Sequence, residues 1–309
     1  MEIICPVCGS SDNTVESGYR NVDEIFSGLH LSHCNNCTMI FVSPMPSAEA
    51  LEKYNADYFM SAHGGQPFDK ISVTFFKAIA RLRVAFINQY IAKKNIRPST
   101  VLEVGPGPGF FADIWLKQYP DTKYLALESD SSCYASLEKL GVQLLQGDML
   151  AQQKEQSVDL IIMSHVLEHI SGPISFLQGV TQKLRKGGAL FIEVPCTDYL
   201  HKNIIEPHLL FFDKKAMAFL LDRVSFCEIE VSYHGEEISE LQHVSLIKKI
   251  YRKIRSRAIS LGIIAPFSHK KPGMEQITDS LERAVITPFK AHIESVIPSW
   301  WLRALAIKK

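Results

Sequence analysis

Val101-Leu102-Glu103-Val104-Gly105-Pro106-Gly107-Pro108-Gly109-Phe110 is the stretch on which the reading of this chain turns. An apolar run is broken by glycine at every second position and is followed by Phe110-Phe111-Ala112-Asp113-Ile114-Trp115-Leu116, which predicts strand, tight turn and helix. Glycine lets the main chain turn with positive φ and lets a ligand lie against it with no Cβ in the way. The helix that follows offers its first N–H groups to an anionic ligand. G-x-G-x-G with an acid two residues ahead differs from the dinucleotide fingerprint G-x-G-x-x-G. Taken alone it fits both a nucleotide-type cofactor site and a plain strand-turn-helix corner.

Outward from that turn, strand and helix patterns alternate, the signature of a parallel sheet with crossover helices. Strands are predicted at 100–104, Tyr124–Leu127, Val142–Leu145, Val158–Met163, Ala189–Val194, Phe226–Tyr233 and within 299–309, seven in all. Helices fall between them, including Pro173–Leu184 and Lys214–Leu221. Upstream, residues 69–94 read as an amphipathic helix with Ile71, Phe75, Ile79, Leu82, Phe86 and Tyr90 on one face. A loop is expected at 61–67, a helix with Ser47 as its N-cap before it, and a short strand at Met39–Val42. Two helical patterns, at about 241–259 and 274–296, make 239–298 an insertion that caps the sheet. The expected divisions are 1–60, 61–97 as linker and amphipathic helix, 98–238 as the core, 239–298 as the cap and 299–309 as the last strand.

The first of these divisions carries Cys5-Pro6-Val7-Cys8 and Cys34-Asn35-Asn36-Cys37. Two C-x2-C knuckles place four thiolates to close a tetrahedron around Zn²⁺. A complete cysteine shell leaves no open coordination position, so this metal is expected to be structural. The alternative is four reduced thiols in a small β-knuckle, with little apolar core of its own. Cys133, Cys196 and Cys227 lie singly in apolar contexts. That usage fits a reducing cytoplasm with metal-bound thiolates better than a disulfide framework.

The 309 residues are 46% hydrophobic and 21% charged, with a formal net charge of zero. An ordinary globular core is implied, and no global field draws the chain to nucleic acid or membrane. The first residues, Met1-Glu2-Ile3-Ile4-Cys5-Pro6, do not read as a signal peptide. No apolar run reaches the ~20 residues that span a bilayer. Only residues 239–309 are lopsided, with thirteen Lys/Arg against five Asp/Glu.

In open α/β sheets ligands bind beyond the carboxyl ends of the strands. Glu103, Glu128, Asp148 and the Ser164/His165 pair all fall at such ends. Glu128 is placed to hold a ribose diol with its two acceptor oxygens. Asp148 is placed to take an adenine amine, with Met149 against the ring. Each alone also reads as a solvated strand-end acid; their order after the glycine turn is what favours a site.

Glu-Val-Gly-Pro-Gly-Pro-Gly, Leu-Glu-Ser-Asp, Gly-Asp-Met, Ser-His-Val-Leu-Glu-His-Ile and Leu-Arg-Lys-Gly-Gly-Ala-Leu-Phe-Ile-Glu-Val-Pro together resemble the class I S-adenosylmethionine-dependent methyltransferases, over residues 98–235. The knuckles followed by Phe-Val-Ser-Pro-Met-Pro-Ser resemble the zinc-binding domain of bacterial sugar methyltransferases. Glu206-Pro207-His208-Leu209-Leu210-Phe211-Phe212 is similar to a Glu-His-x-x-x-Phe segment of those relatives, with Pro207 inserted. The resemblance implies a Rossmann-like seven-stranded α/β sheet in which Gly105, Gly107, Gly109 and Ser164 line the cofactor. Glu103 would then sit near its methionine amine, Glu128 on the ribose and Asp148 with Met149 at the adenine.

Methyl transfer from a sulfonium is an in-line displacement, and an oxygen or carbon acceptor must also lose a proton. His208 and His165 are the expected bases, with Glu206 orienting His208. His208 also reads as a histidine packed by Phe211 and Phe212, and His169 as a residue at the edge of the core. The acceptor implied is a small molecule, a phosphorylated or nucleotide-linked sugar of polysaccharide biosynthesis, handled in the cytoplasm. One rival is an RNA substrate gripped by Lys248–Arg257, against which residues 1–40 hold Arg20 as their sole Lys or Arg. Others are a non-catalytic assembly module, and docking of the basic stretch with Trp300-Trp301 on an anionic membrane, which solvated helix and buried tryptophans would explain more simply.

Overall fold

The computed structural model describes residues 2–56, 70–145, 155–261 and 293–309. Strands β1 (Asn13–Gly18), β2 (His30–Cys34), β3 (Ile40–Ser43), β4 (Thr100–Val104), β5 (Lys123–Leu127), β6 (Gln143–Leu144), β7 (Val158–Ser164), β8 (Leu184–Pro195), β9 (Leu210–Phe211), β10 (Phe226–Glu237), β11 (Glu294–Ser295) and β12 (Ser299–Lys308) form two sheets. The larger has the order β11-β10-β12-β8-β7-β4-β5-β6. Its β8-β7-β4-β5-β6 portion is parallel throughout, and β12 runs antiparallel to both of its neighbours, β8 and β10.

Among the described residues this sheet has eight strands where the sequence predicts seven. The extra one is the two-residue β11 on the outer edge, inside a stretch expected to be helical to residue 296. Other boundaries move outward for a common reason: β10 runs on to Glu237 and β8 to Pro195 because each continues to find partners on β12. The loop expected at 61–67 and the bulk of the second insertion helix lie outside the described residues.

The described α-helices are α1 (Ala48–Ala56), α2 (Lys70–Lys93), α3 (Phe110–Gln118), α4 (Tyr134–Lys139), α5 (Pro173–Thr181), α6 (Lys214–Arg223), α7 (Ile238–Gln242) and α8 (Leu246–Ser260), and single 3-10 turns lie at Glu24–Phe26, Ser131–Cys133, Leu167–His169 and Asp198–Leu200. Neighbouring residues along each central strand serve opposite faces, as a period of two requires. Val101, Ile162 and Phe191 pack with Val84 and Ile87 of α2 and with Phe111 and Trp115 of α3. Leu102, Ile161 and Leu190 pack with Leu177 of α5 and Met217 and Leu220 of α6. The buried stripe of α2 centres on Ala80, Val84, Ile87 and Ile91, displaced from the predicted face, of which Ile79 and Tyr90 are buried.

The smaller sheet, β1-β2-β3-β9, is antiparallel and joins the first 43 residues to the core. Phe26, Leu31, Met39 and Phe41 belong to the same buried cluster as Leu190, Phe212 and Leu220. The Thr38 hydroxyl donates to Asp213 at 3.2 Å, while Asp213 caps α6 by accepting from the Ala216 N–H at 2.7 Å. The cysteine knuckles therefore sit on the same core as the parallel sheet.

Candidate active site and metal centre

Each C-x2-C segment closes a one-turn knuckle: the Gly9 N–H donates to the Cys5 carbonyl and the Thr38 N–H to the Cys34 carbonyl, both at 2.9 Å. Gly9 and Thr38 have φ of 77° and 64°, which turns each chain back on itself. Cys5 Sγ lies 3.6 Å from Cys37 Sγ, and Cys8 Sγ lies 3.4 Å from Cys34 Sγ. All four sulfurs lie within 4.8 Å of one another. A tetrahedron of sulfurs ~2.3 Å from a central ion has edges of roughly 3.8 Å, so this arrangement fits a four-thiolate metal.

The three glycines of the central turn have positive φ, 68° at Gly105, 54° at Gly107 and 85° at Gly109, but they do different things. A Cβ on Gly105 would stand 2.6 Å from Val166 Cγ2, and one on Gly109 2.8 Å from Leu140 Cδ1. Those two glycines allow close packing of the turn. Of the three only Gly107 has no described residue within 4 Å of a built Cβ. It is therefore the one of the three whose missing side chain leaves room for a ligand.

Glu128, just past β5, closes over this turn. Its Oε2 accepts from the Gly107 N–H at 2.8 Å and its Oε1 from the Asp130 N–H at 2.9 Å. Burial raises its pKa, and these N–H donors hold the rise in check. Glu103, at the end of β4, is 3% exposed and accepts from the Tyr124 hydroxyl at 2.7 Å. Burial pushes its carboxyl up to about 7 against the pull of Tyr124 and of the Arg83 charge. Asp148 and Met149 lie outside the described residues.

The second half of the cleft grows from the ends of β7 and β8. Ser164 ends β7, and its buried hydroxyl has no hydrogen-bond partner among the described residues. His165 follows with φ of 58°, its N–H donating to the Glu193 carbonyl at 2.8 Å. That backbone places its imidazole between two carboxylates, with Nδ1 3.3 Å from Glu168 Oε1 and Nε2 3.4 Å from Glu193 Oε1. The ring keeps 36% of its surface exposed. Burial works against its charge, but the two glutamates prevail and raise its pKa.

Glu193 is fully buried and cannot act as the proton acceptor itself. Arg83 grips its Oε1 through Nε at 2.8 Å and through a second guanidinium nitrogen, and Arg303 Nε binds its Oε2 at 2.6 Å. Burial raises its pKa, yet the two guanidinium charges outweigh this and hold it well below the usual carboxylate range. Glu168 is 1% exposed, and neither oxygen accepts a hydrogen bond from a described residue; burial raises its pKa, but His165 beside it outweighs this and lowers it.

His208 stands deeper, 8% exposed, with its ring 4.9 Å from that of His169. Its Nδ1 is 2.8 Å from Asp198 Oδ2, and Asp198 is held in turn by Lys202 Nζ at 2.7 Å. Asp198, not Glu206, orients His208. The Glu206 carboxylate instead accepts the N–H groups of Val22 and Asp23 at 2.8 and 2.9 Å. The Tyr19 hydroxyl also donates to the His208 carbonyl at 2.9 Å, so the N-terminal region buttresses this wall.

Of the residues singled out in the sequence, Glu103, Glu128, Ser164 and His165 thus line one sheet edge, and Glu206 leaves it. Sequence reasoning missed Arg83, Glu168, Glu193, Asp198 and Arg303. The signal available was modest: a carboxylate inside the apolar run Leu190–Val194 and an arginine inside Leu302–Ile307, each charged where a buried strand leaves no room for charge.

Residues 76–245, more than half of the chain, match a family model described as a methyltransferase domain. Trans-aconitate 2-methyltransferase from Methylobacterium nodulans is 27% identical over 100 residues, 32% of this chain and 39% of that protein. The same-named protein from Acidovorax ebreus is 20% identical over 210 residues, 67% of this chain and 76% of its own. This chain thus spans about two fifths of the first relative and three quarters of the second. Among solved structures, the 1,6-didemethyltoxoflavin-N1-methyltransferase of Burkholderia thailandensis is similar at a TM-score of 0.48 and 14% identity, covering 94% of this chain and 99% of that one. The glycine turn and strand-end acids described above fall within the matched residues, and the chain belongs to the methyltransferase domain family.

Proposed function

We propose that this protein transfers a methyl group from S-adenosylmethionine to a small acceptor whose reacting atom carries a proton. The observation that carries this reading is the juxtaposition at one sheet edge of the Gly107 opening under Glu128 with the solvent-facing imidazole of His165. The cofactor's ribose hydroxyls would share the Glu128 carboxylate, its methionine amine would approach Glu103, and Gly107 would leave room for it to lie on the turn. Asp148 and Met149 remain the candidates for the adenine. The acceptor would enter from the β7 and β8 side, over Ser164 and His165.

His165 is the proton acceptor in this scheme. Glu168 and Glu193 stabilise the imidazolium that forms, as the orienting carboxylate of a general-base pair does. His208, locked on Asp198 and mostly buried, holds the wall behind Glu168. A carboxylate acceptor such as trans-aconitate, named by the relatives, is already ionised at neutral pH and needs no base. The backing of His165 by two buried carboxylates favours a hydroxyl or an acidic carbon, and hence the nucleotide-linked sugar that the N-terminal resemblance implies. Cys5, Cys8, Cys34 and Cys37 would hold a structural Zn²⁺, whose chemistry is to fold the knuckles.

The test is a calorimetric titration with S-adenosylmethionine, followed by incubation of the protein with methyl-labelled cofactor, a panel of nucleotide sugars and trans-aconitate, with the label located by mass spectrometry. Binding of the cofactor together with label on a sugar hydroxyl or carbon supports the reading. Label on trans-aconitate would remove the need for a base, and absence of cofactor binding would overturn the proposal.

A further inference from the structure

We propose that helix α8 lies on an anionic lipid surface. Its sequence, Leu-Ile-Lys-Lys-Ile-Tyr-Arg-Lys-Ile-Arg-Ser-Arg-Ala-Ile-Ser, holds six Lys or Arg and no acid. At ~100° per residue, positions 246, 247, 250, 254 and 261 fall on one stripe of roughly 100°, while 248, 249, 252, 253 and 255 fall on the remaining arc and Arg257 alone of the six cations lies within the stripe. A helix packed on its own protein turns such a stripe inward. Here Leu246 is 72% exposed, Ile247 80%, Ile250 51%, Ile254 64% and Leu261, just past the helix, 61%. Lys249, Lys253 and Arg257 are exposed as well.

The charge pattern selects the occupant. An apolar protein groove would accept the isoleucines but leave a dense set of cations without counter-charge. Nucleic acid would take the cations through its phosphates but leave the isoleucines in water. An anionic bilayer interface satisfies both, with the apolar stripe at the acyl boundary and the cations among headgroup phosphates. No helix among the described residues is long and apolar enough to cross a membrane, so the helix would lie on the surface. Trp300 and Trp301 take no part, since they stack on one another within strand β12 and Trp301 is 5% exposed, packed with Ala78 and Ile79.

The position of α8 gives the contact a direction. β10 runs parallel to β8, so its end at Glu237 lies on the sheet edge that carries the cleft, and α7 and α8 follow directly. Gln242 of α7 donates to the Leu200 carbonyl at 3.0 Å, in the loop that carries Asp198. A lipid-bound α8 would hold the cleft edge of the sheet towards the headgroups. The inference does not depend on the identity of the methyl acceptor.

Flotation of the full chain with vesicles tests it. Vesicles of phosphatidylcholine with about 30% phosphatidylglycerol should carry the protein, and phosphatidylcholine alone should carry about tenfold less or none. The triple variant Ile247→Gln/Ile250→Gln/Ile254→Gln should lose binding while keeping the wild-type melting temperature and cofactor affinity. Lys249→Gln/Lys253→Gln should weaken binding about tenfold, and wild-type binding should fall as salt rises. If the triple variant does not fold, the lysine pair and the salt series decide. Wild type that stays with the buffer, variants that float like wild type, or a protein that shifts RNA but binds no vesicle would each overturn the proposal.

Discussion

The cysteine knuckles and the His165 wall are both clusters of ligating or titratable side chains, yet they are assembled in opposite ways. The knuckles draw four residues from two tight turns whose spacing is written in the sequence, Cys5 to Cys8 and Cys34 to Cys37. The wall draws Arg83 from α2, His165 from the end of β7, Glu193 from β8 and Arg303 from β12, residues up to 220 positions apart that sheet order alone brings together. In the first, local turns create the site and a metal would fix it. In the second, the fold creates the site, and the buried charges are its cost.

The largest effect is expected where the two regions share a core. Because Phe26, Leu31, Met39 and Phe41 pack in the same cluster as Leu190 and Phe212, losing the knuckles should not stay local. If the knuckles hold the proposed zinc, Cys34→Ser or a chelator should remove several kcal/mol of the ~10 kcal/mol that a structural zinc site contributes and lower the melting temperature of the whole protein. Thermal denaturation followed both by tryptophan fluorescence and by released zinc checks this. A variant whose melting matches wild type would separate the two regions energetically.

The wall should break nearly as hard from its far end. Arg303→Met leaves Glu193, fully buried, with one of its two guanidinium partners, Arg83, so the loss should be a part of the about 3–5 kcal/mol that stranding a buried charge outright costs. Denaturant unfolding should show that loss, and Arg303→Met/Glu193→Leu should recover part of it. Recovery in the double variant would mean that charge balance, rather than the shape of the arginine, is what β12 supplies.

Catalysis sharpens the contrast further. His165→Gln should lower kcat by roughly 10²–10³-fold with cofactor affinity nearly unchanged. As a base His165 works deprotonated, and its pKa is raised by Glu168 and Glu193. The rate should therefore fall as pH drops through a value above the ordinary 6.5. Glu168→Gln removes one of the two contacts that raise it, so the acid limb should move to lower pH. A limb that stays in place in Glu168→Gln would release His165 from this role. His208→Gln, acting through packing, should affect stability more than the pH profile.

The smallest effect lies in the glycine turn. Glu128→Ala should weaken S-adenosylmethionine by about 1–3 kcal/mol in a calorimetric titration, as hydrogen bonds to a charged group are lost. It should also leave the Gly107 N–H without its present partner. Equal affinity in variant and wild type would remove Glu128 from the site.

The same contrast explains what could be read from sequence. The parallel core was legible because its strands are continuous apolar runs set between helical patterns, and the knuckles because each C-x2-C pair is a local spacing. The glycines were legible as a turn, but their separate tasks were not. Whether a missing Cβ faces Val166, Leu140 or no described residue depends on helices that arrive from elsewhere. Glu206 misled because its neighbour His208 sits in the wall, whereas its own carboxylate is taken up by the Val22 and Asp23 amides. Asp198 escaped notice because a polar residue ten positions before a histidine carries no periodic signal, and only the return of the chain through β9 brings it into contact.

The place of β12 in the sheet has a consequence for how the protein comes into being. Residues 299–308 are the last of the described strands to be synthesised, yet they lie between β8 and β10 and carry Arg303 to Glu193. Until they leave the ribosome, two long strands face each other across a gap, and Glu193 lacks one of its two guanidinium partners. The parallel half of the sheet is free to form early, whereas the antiparallel half must wait for residues 299–308. A nascent chain stalled before residue 299 should hold its β4–β8 layer with an open edge, the kind of surface that chaperones hold.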